Sequence, residues 1–332
     1  MLTDKKINWG ILGCGKIAAK FAEDLRTISR SKLVAVASRN IEKAKNFGNK
    51  FEAKKCYASY KELCEDSNID IIYIATPHVF HFEHTMLCLE HKKAVLCEKP
   101  FGMNTTQVKK MIAKAKEKDV FLMEAMWTCF LPHYQYVLEM IYSKELGEIR
   151  SLKADFGYQF EFDPNSRVYK KELGGGSLLD IGIYPLFAAI SMIGNPENIS
   201  ANAILGQTGV DEECSMTLDY KNGVRAQLFS SVTKETKTEA TIEFEKGTLI
   251  IHSRFHEPTS ITIFKGEKKE TKNFDVQTNG YNFEAEHVQE MLFQQRKEST
   301  IMTFDMSLKL IHLLDSVRSK IGLYYKEDDI NN

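Results

Sequence analysis

The chain lacks the features that would place it in oxidising surroundings, in a membrane or on a nucleic acid. Its seven cysteines, at 14, 56, 64, 88, 97, 129 and 214, are odd in number, scattered and never spaced C-x-x-C. That excludes a disulfide framework or a zinc site of ordinary spacing and predicts reduced thiols. The formal net charge is only -1, from 44 Lys and Arg against 45 Asp and Glu, so no basic field draws the protein to nucleic acid or anionic lipid. No run approaches the ~20 apolar residues that a spanning helix requires. The opening Met1-Leu2-Thr3-Asp4-Lys5-Lys6 lacks the apolar stretch of a signal peptide. Internal repeats and low-complexity linkers are missing too. The expectation is a cytoplasmic protein with neither nucleic-acid nor membrane partners.

What is present is the mix of a globular protein, 43% hydrophobic and 27% charged over 332 residues, a length that favours two domains. Near-continuous apolar runs at Ile7–Leu12, Leu33–Ala37, Ile69–Ala75, Ala94–Cys97 and Val120–Met123 alternate with amphipathic stretches. Those stretches are Lys16–Ile28, Ile41–Phe51, Ser59–Glu65, His81–His91 and Thr105–Lys118. Such alternation predicts a doubly wound, Rossmann-type parallel sheet covered on both faces, over residues 1–125. The pattern then changes. Glu148–Phe160 reads as a long strand, and Ser200–Thr271 as several antiparallel ones turning at Lys221-Asn222-Gly223, Glu245-Lys246-Gly247 and Lys265-Gly266-Glu267. Two helices, about Phe283–Lys297 and Met306–Ile321, close the chain. Residues 126–332 are therefore expected to form an α+β substrate and dimerisation domain, built on a large, mostly antiparallel sheet.

Gly13-Cys14-Gly15-Lys16-Ile17-Ala18 sits at the first strand–helix junction. Glycine permits the tight turn and lets backbone N–H groups approach a pyrophosphate, which the helix N-terminus attracts. Gly13, Gly15, Lys16 and Ile17 are the resulting cofactor candidates. The second strand ends in Ser38-Arg39-Asn40, without the acid that binds a ribose 2′-hydroxyl in NAD sites. Arg39 is either a bidentate ligand for a 2′-phosphate or a solvated charge. Lacking the acid, the site is expected to take NADP, with NAD as the alternative.

Three further motifs carry chemistry: Thr76-Pro77-His78 with His81 beyond it, Glu98-Lys99-Pro100, and Gly174-Gly175-Gly176-Ser177-Leu178-Leu179-Asp180-Ile181-Gly182-Ile183-Tyr184-Pro185. Together with Glu124-Ala125-Met126-Trp127 and the Gly280–Glu284 segment, they make the whole chain resemble the glucose-fructose oxidoreductase / inositol dehydrogenase (Gfo/Idh/MocA) family. The likeness is strongest to its branch of dimeric dihydrodiol and NADP-dependent D-xylose dehydrogenases. The resemblance implies that Lys99 stands beside nicotinamide and reacting hydroxyl, and that Tyr184 is the general acid/base, supported by Asp180 and His81. It also implies that Ser38, Thr76, Pro77, His78 and Glu98 border the cofactor. Trp127 and Arg167 are candidate substrate contacts, and Trp127 could equally be packing. Relatives in this branch commonly carry Arg two residues after the Trp, where this chain has Cys129, so any role of that Arg is absent here.

The acid/base assignment has its own chemical logic. A free tyrosine, with a pKa of about 10, is a poor base at neutral pH, and a neighbouring ammonium such as that of Lys99 would favour its phenolate. Asp180 and Tyr184 are spaced i, i+4 and would share a helix face. Pro185 cannot donate to the Ile181 carbonyl and should kink that helix. Without the resemblance, Tyr184 reads as a core aromatic and Asp180 as a helix cap. His78, His81, His84 and His91 fall at spacings that put imidazoles on one face, but nothing completes a ligand set and no metal is expected. The expected function is NADP-linked hydride transfer to or from a cyclic sugar (pyranose) or dihydrodiol-like ring alcohol, in a homodimer. A keto-sugar reductase and a non-catalytic NAD(P)-binding regulator are the alternatives.

Overall fold

The first apolar runs form strands because each is buried on both faces and bounded by turn-forming residues. A computed structural model describes residues 6–329; residues 1–5, which carry most of the leader reading, lie outside it. In chain order come β1 (Ile7–Leu12), α1 (Lys16–Leu25), β2 (Ser31–Ala37), α2 (Ile41–Phe51), β3 (Lys55–Tyr57), α3 (Tyr60–Glu65), β4 (Ile71–Ile74), α4 (His81–Glu90), β5 (Ala94–Glu98), α5 (Thr105–Lys118) and β6 (Leu122–Ala125). There follow α6 (Pro132–Ser143), β7 (Ile149–Gly157), α7 (Ile183–Met192), β8 (Asn198–Leu205), β9 (Asp211–Asp219), β10 (Arg225–Ser231), β11 (Ala240–Phe244), β12 (Gly247–Ile251), β13 (Ile261–Lys265) and β14 (Lys268–Lys272). The chain closes with α8 (Tyr281–Phe293) and α9 (Phe304–Ile321).

Two compact units result. One holds the residues up to Gly102, Thr106–Phe130 and Gln277–Ser307; the other holds Met103–Thr105, Leu131–Val276 and the residues from Leu308 on. The return of Gln277–Ser307 to the first unit has no signal in the linear pattern. In that unit the strands are parallel, in the order β3-β2-β1-β4-β5-β6. Every residue of β4, β5 and β6 is buried, as the continuous apolar runs require of a sheet covered on both faces. The fold is α/β, with its strand order reversing between β1 and β4.

The second unit carries an eight-stranded sheet in the order β14-β13-β12-β11-β7-β10-β9-β8, antiparallel except between β7 and β10. One face is buried through Leu152, Met216, Ala226, Leu228 and Ile242, while Lys153, Ser215, Gln227 and Glu243 on the other face are exposed. The expected strand Glu148–Phe160 is shorter, stopping at Gly157, where Thr236 Oγ1 accepts from the Gly157 N–H at 2.7 Å. The stretch Lys171–Met192 passes for a membrane span by length and composition, contrary to the sequence expectation, but 94% of that window is buried. It is a core element of this unit.

The returning segment is anchored by Asp24 of α1, a buried carboxylate. Its Oδ1 accepts from Asn279 N at 3.0 Å and Asn279 Nδ2 at 2.8 Å, and its Oδ2 accepts from Tyr281 N at 2.8 Å. Gly280 between them takes a left-handed φ of 104°, which glycine adopts without a Cβ penalty. Removing the carboxylate orphans buried donors at about 1–3 kcal/mol each. Asp24→Ala should therefore lower the unfolding free energy by about 3 kcal/mol, measured by urea denaturation followed by circular dichroism. A loss below about 0.5 kcal/mol, the level of an ordinary surface change, would show that the carboxylate anchors nothing.

Candidate active site

In the first unit the site residues sit at the carboxyl ends of neighbouring strands. After β1 the chain turns at Gly13, with φ 100°, and a Cβ there would lie 2.9 Å from the Ala75 carbonyl oxygen. A Cβ on Gly15 would meet nothing nearer than 4.0 Å, so the backbone is open to close approach at that point. Gly15 precedes α1, whose first turn has no side-chain cap and no acid. Its N–H groups and positive dipole end therefore face outward, with Lys16 exposed and Ile17 half-buried beside them. A cradle that one methyl would fill, beside an uncapped helix end, fits a pyrophosphate.

Past β2, Ser38 is buried and its Oγ accepts from the Asn40 N–H at 3.3 Å. Asn40 caps α2 by accepting from Lys43 N. Arg39 is exposed, its guanidinium carbon 5.7 Å from the centre of the Phe80 ring. Burial pushes the Tyr60 phenol up, and nearby Arg39 opposes that shift. Guanidinium, phenol and phenyl ring thus gather where the strand-end acid of an NAD site would stand.

The loop after β4 is tied to the loop after β5 by one histidine. His81, fully buried, has Nε2 2.8 Å from the Thr76 carbonyl oxygen and Nδ1 2.7 Å from that of Pro100. Both oxygens can only accept, so the ring satisfies both as imidazolium. Its charge adds to the burial that holds neighbouring His84 down at about 4, and Thr76 Oγ1 lies 3.0 Å from His84 Nδ1. Pro77 and His78 complete this loop, with the His78 ring 5.8 Å from that of His81. His81 thereby positions the Lys99–Pro100 junction, a cis peptide, with Lys99 half-buried at the end of β5.

Beneath Lys99 lies a set of buried carboxyls. Tyr73 Oη donates to Glu98, and Glu124 accepts from the Phe101 N–H at 3.0 Å. Burial, with Glu98 adding repulsion, lifts the Glu124 carboxyl to about 7 despite opposing hydrogen bonds. Glu284 of α8 is pushed well above the carboxylate range by burial, then by Glu98 and Asp24. Neither of its oxygens has a hydrogen-bond partner among the described residues. Trp127 stacks on Tyr281 with centroids 4.3 Å apart.

In the second unit the glycine run opens a helical segment. Gly174 and Gly176 take φ of 72° and 117°, and a Cβ on Gly175 would sit 2.6 Å from the Val168 carbonyl oxygen. Buried Asp211 accepts from Ser177 Oγ at 2.8 Å and from Leu178 N at 2.7 Å. Burial raises that carboxyl to about 7. The expected kinked α-helix is instead a π turn over Leu178–Gly182 that passes into α7. Pro185 has no N–H for the usual bond, and a wider turn accommodates its absence. Asp180 lies in the π turn and accepts from Arg167 Nη2 at 2.8 Å. Tyr184 lies in the first turn of α7 and is buried; its ring centre is 5.8 Å from that of Phe156 and 4.7 Å from that of His256. Nothing in the linear sequence singled out His256, Phe156 or Asp211, which join these clusters only through the fold, whereas Tyr281 lies in the Gly280–Glu284 segment already marked by the resemblance.

Two family models match the chain. One, described as an oxidoreductase family with an NAD-binding Rossmann fold, covers residues 7–126, and a GFO/IDH/MocA C-terminal domain covers residues 134–250. The chain is 38% identical over 329 residues to a trans-1,2-dihydrobenzene-1,2-diol dehydrogenase of Xenopus tropicalis, covering 96% of this chain and 98% of that one. The human protein of that name is 36% identical over 334 residues, covering 97% and 99%. A solved 3-ketoreductase of Actinomadura kijaniata, in complex with NADP and TDP-benzene, superimposes with a TM-score of 0.88 at 26% identity, covering 96% and 98%. Nearly full-length likeness of this order, with both domain models matched in sequence, makes the chain a member of the Gfo/Idh/MocA oxidoreductase family.

Proposed function

We propose that this protein is an NADP-linked dehydrogenase of ring alcohols, acting on a trans-dihydrodiol or a pyranose. The observation that carries the reading is the nearly full-length likeness to trans-dihydrodiol dehydrogenases, in a chain with a lysine just past β5 and a tyrosine in the first turn of α7. Gly13, Gly15, Lys16 and Ile17 would hold the pyrophosphate, Arg39 with Ser38 the adenosine ribose and its 2′-phosphate. Thr76, Pro77, His78, Glu98 and Lys99 would border the nicotinamide. The cofactor supplies the hydride acceptor. Tyr184 takes the hydroxyl proton, and the Lys99 ammonium favours its phenolate. Asp180, held by Arg167, keeps the π turn ordered beside Tyr184, while His81 keeps the Lys99 loop in place. Trp127 and Arg167 contact substrate. The likeness to the 3-ketoreductase supports a second reading, in which the same residues run the reverse reaction on a keto-sugar with Tyr184 as the acid.

The odd number and scattered spacing of the seven cysteines support a reducing, cytoplasmic setting. We place a second copy on the open face of the eight-stranded sheet. Sedimentation should then give twice the 38.0 kDa of one chain, and a single-chain mass would remove the dimer from the proposal.

Turnover is read from reduced-nicotinamide absorbance with trans-dihydrodiols and pyranoses in one direction and keto-sugars in the other. Tyr184→Phe should lower kcat at least about a hundredfold, the scale of a lost general base, with NADP affinity retained. Full activity in that variant would sink the assignment, and NADPH binding without turnover in either direction would point to the regulator. Arg39→Asp should cost about tenfold to a hundredfold in kcat/KM for NADP, one charge-assisted contact, while NAD is used as well or better. An unchanged NADP value would place the 2′-phosphate elsewhere.

A further inference from the structure

The loop between β12 and β13 sets an imidazole against Tyr184. His256 is 4% exposed. Its ring stacks on Phe156 of β7, centroids 4.2 Å apart and planes 26° apart, and meets the Tyr184 ring at 4.7 Å and 41°. Its Nε2 lies 3.6 Å from Glu257 Oε1. Arg254 grips the same carboxylate from the other side, Nε donating to Oε2 at 2.6 Å and Nη2 to Oε1. Arg254 takes a left-handed φ of 62° and its carbonyl accepts from the Glu257 N–H at 2.7 Å. A bidentate ion pair and a backbone bond thus close a turn that the backbone alone disfavours.

We propose that His256 is a positioning residue for Tyr184, its ring fixing the plane of the phenol and its pairing with Glu257 setting the charge beside it. The inference rests on Tyr184 as the acid/base and adds a residue to it. Burial pushes the Glu257 carboxyl up, but bonds from His256 and Arg254 outweigh it and hold it well below the carboxylate range, which favours the imidazolium opposite. Other titratable groups facing this loop are Tyr158 and Glu235, which act on Arg254, and His133 of α6, its Nε2 3.0 Å from the Phe255 carbonyl oxygen. Burial, with His256 adding to it, holds His133 down at about 4, so it is neutral near pH 7. Phe156 contributes no charge. Within this group the phenol's stacked neighbour is thus the His256 imidazole, paired with the Glu257 carboxylate.

The sign follows. Oxidation of an alcohol uses the phenolate, so the rate rises with pH through the Tyr184 titration. Loss of a positive neighbour raises that pKa, moving the rising limb to higher pH. His256→Phe keeps an aromatic ring against Phe156 and Tyr184 and removes the charge and the tether. Two readouts apply. One is the pH profile of kcat. The other is an ultraviolet titration of phenol ionisation, taken as the difference from the same protein carrying Tyr184→Phe and needing no substrate. The expected result is a midpoint about one pH unit higher and, below it, kcat about tenfold lower, one unit corresponding to tenfold, with KM for NADP within about twofold. If His256→Phe fails to fold, as judged by circular dichroism, Glu257→Gln takes its place and should move both readouts the same way by less. Superimposable titrations and pH profiles would overturn the proposal. Should Tyr184→Phe retain full turnover, the acid/base reading falls by itself, and the titration still decides whether His256 tunes Tyr184.

Discussion

All six strands of the first sheet run the same way, so their carboxyl ends share one edge, and the clustering of the first unit's candidate residues follows from that polarity. Adjacent strand ends bring Gly13, Ser38, Thr76 and Glu98 together although 85 residues separate the first from the last. The order β2-β1-β4-β5 places the reversal of strand order beside the glycine turn, where an open parallel sheet leaves a crevice. Loops emerging there have no strand partners and must find hydrogen bonds locally. His81 meets that demand for two of them at once.

Burial then sets the electrostatics of this edge. A carboxyl out of water resists ionisation unless donors compensate. Asp24 spends its two oxygens on three hydrogen bonds that hold the returning segment. Glu284 has none among the described residues and is held far above its ordinary range, so it stays neutral. Glu124 lies between, near 7.

In the second unit the constraint is steric. Gly175 has no room for a methyl group beneath the Val168 carbonyl, nor Gly176 beside Asp211, where a Cβ would lie 2.2 Å from Oδ1. That closeness lets Asp211 reach Ser177 and Leu178 and pin the start of the helical segment. The π turn that follows absorbs the missing N–H of Pro185. The segment carrying Asp180 and Tyr184 is therefore held at its start by a buried carboxyl and redirected by one proline, and the Arg254–Glu257 clamp braces the imidazole that lies against the Tyr184 ring.

The alternation of buried apolar runs with amphipathic stretches was enough to specify the α/β fold, the glycine turn and the antiparallel character of the later sheet, because strand and helix periods are local properties. The three hairpin turns at residues 221–223, 245–247 and 265–267 were legible for the same reason, through glycine at the tight position. Lys99 and Tyr184 were visible through their motifs. The rest depended on tertiary structure. Nothing local marks Gln277–Ser307 as part of the first unit, because the contacts that recruit it, from Asp24, Ser31 and Trp127, join residues more than 150 positions apart. The π turn was misread as a kinked α-helix, since a proline's missing donor can be met by bending or by widening the turn, and only packing chooses. His256 was invisible for a similar reason: side chains 72 positions apart meet only when a sheet brings a loop and a helix together, and stacking leaves no periodicity in the chain.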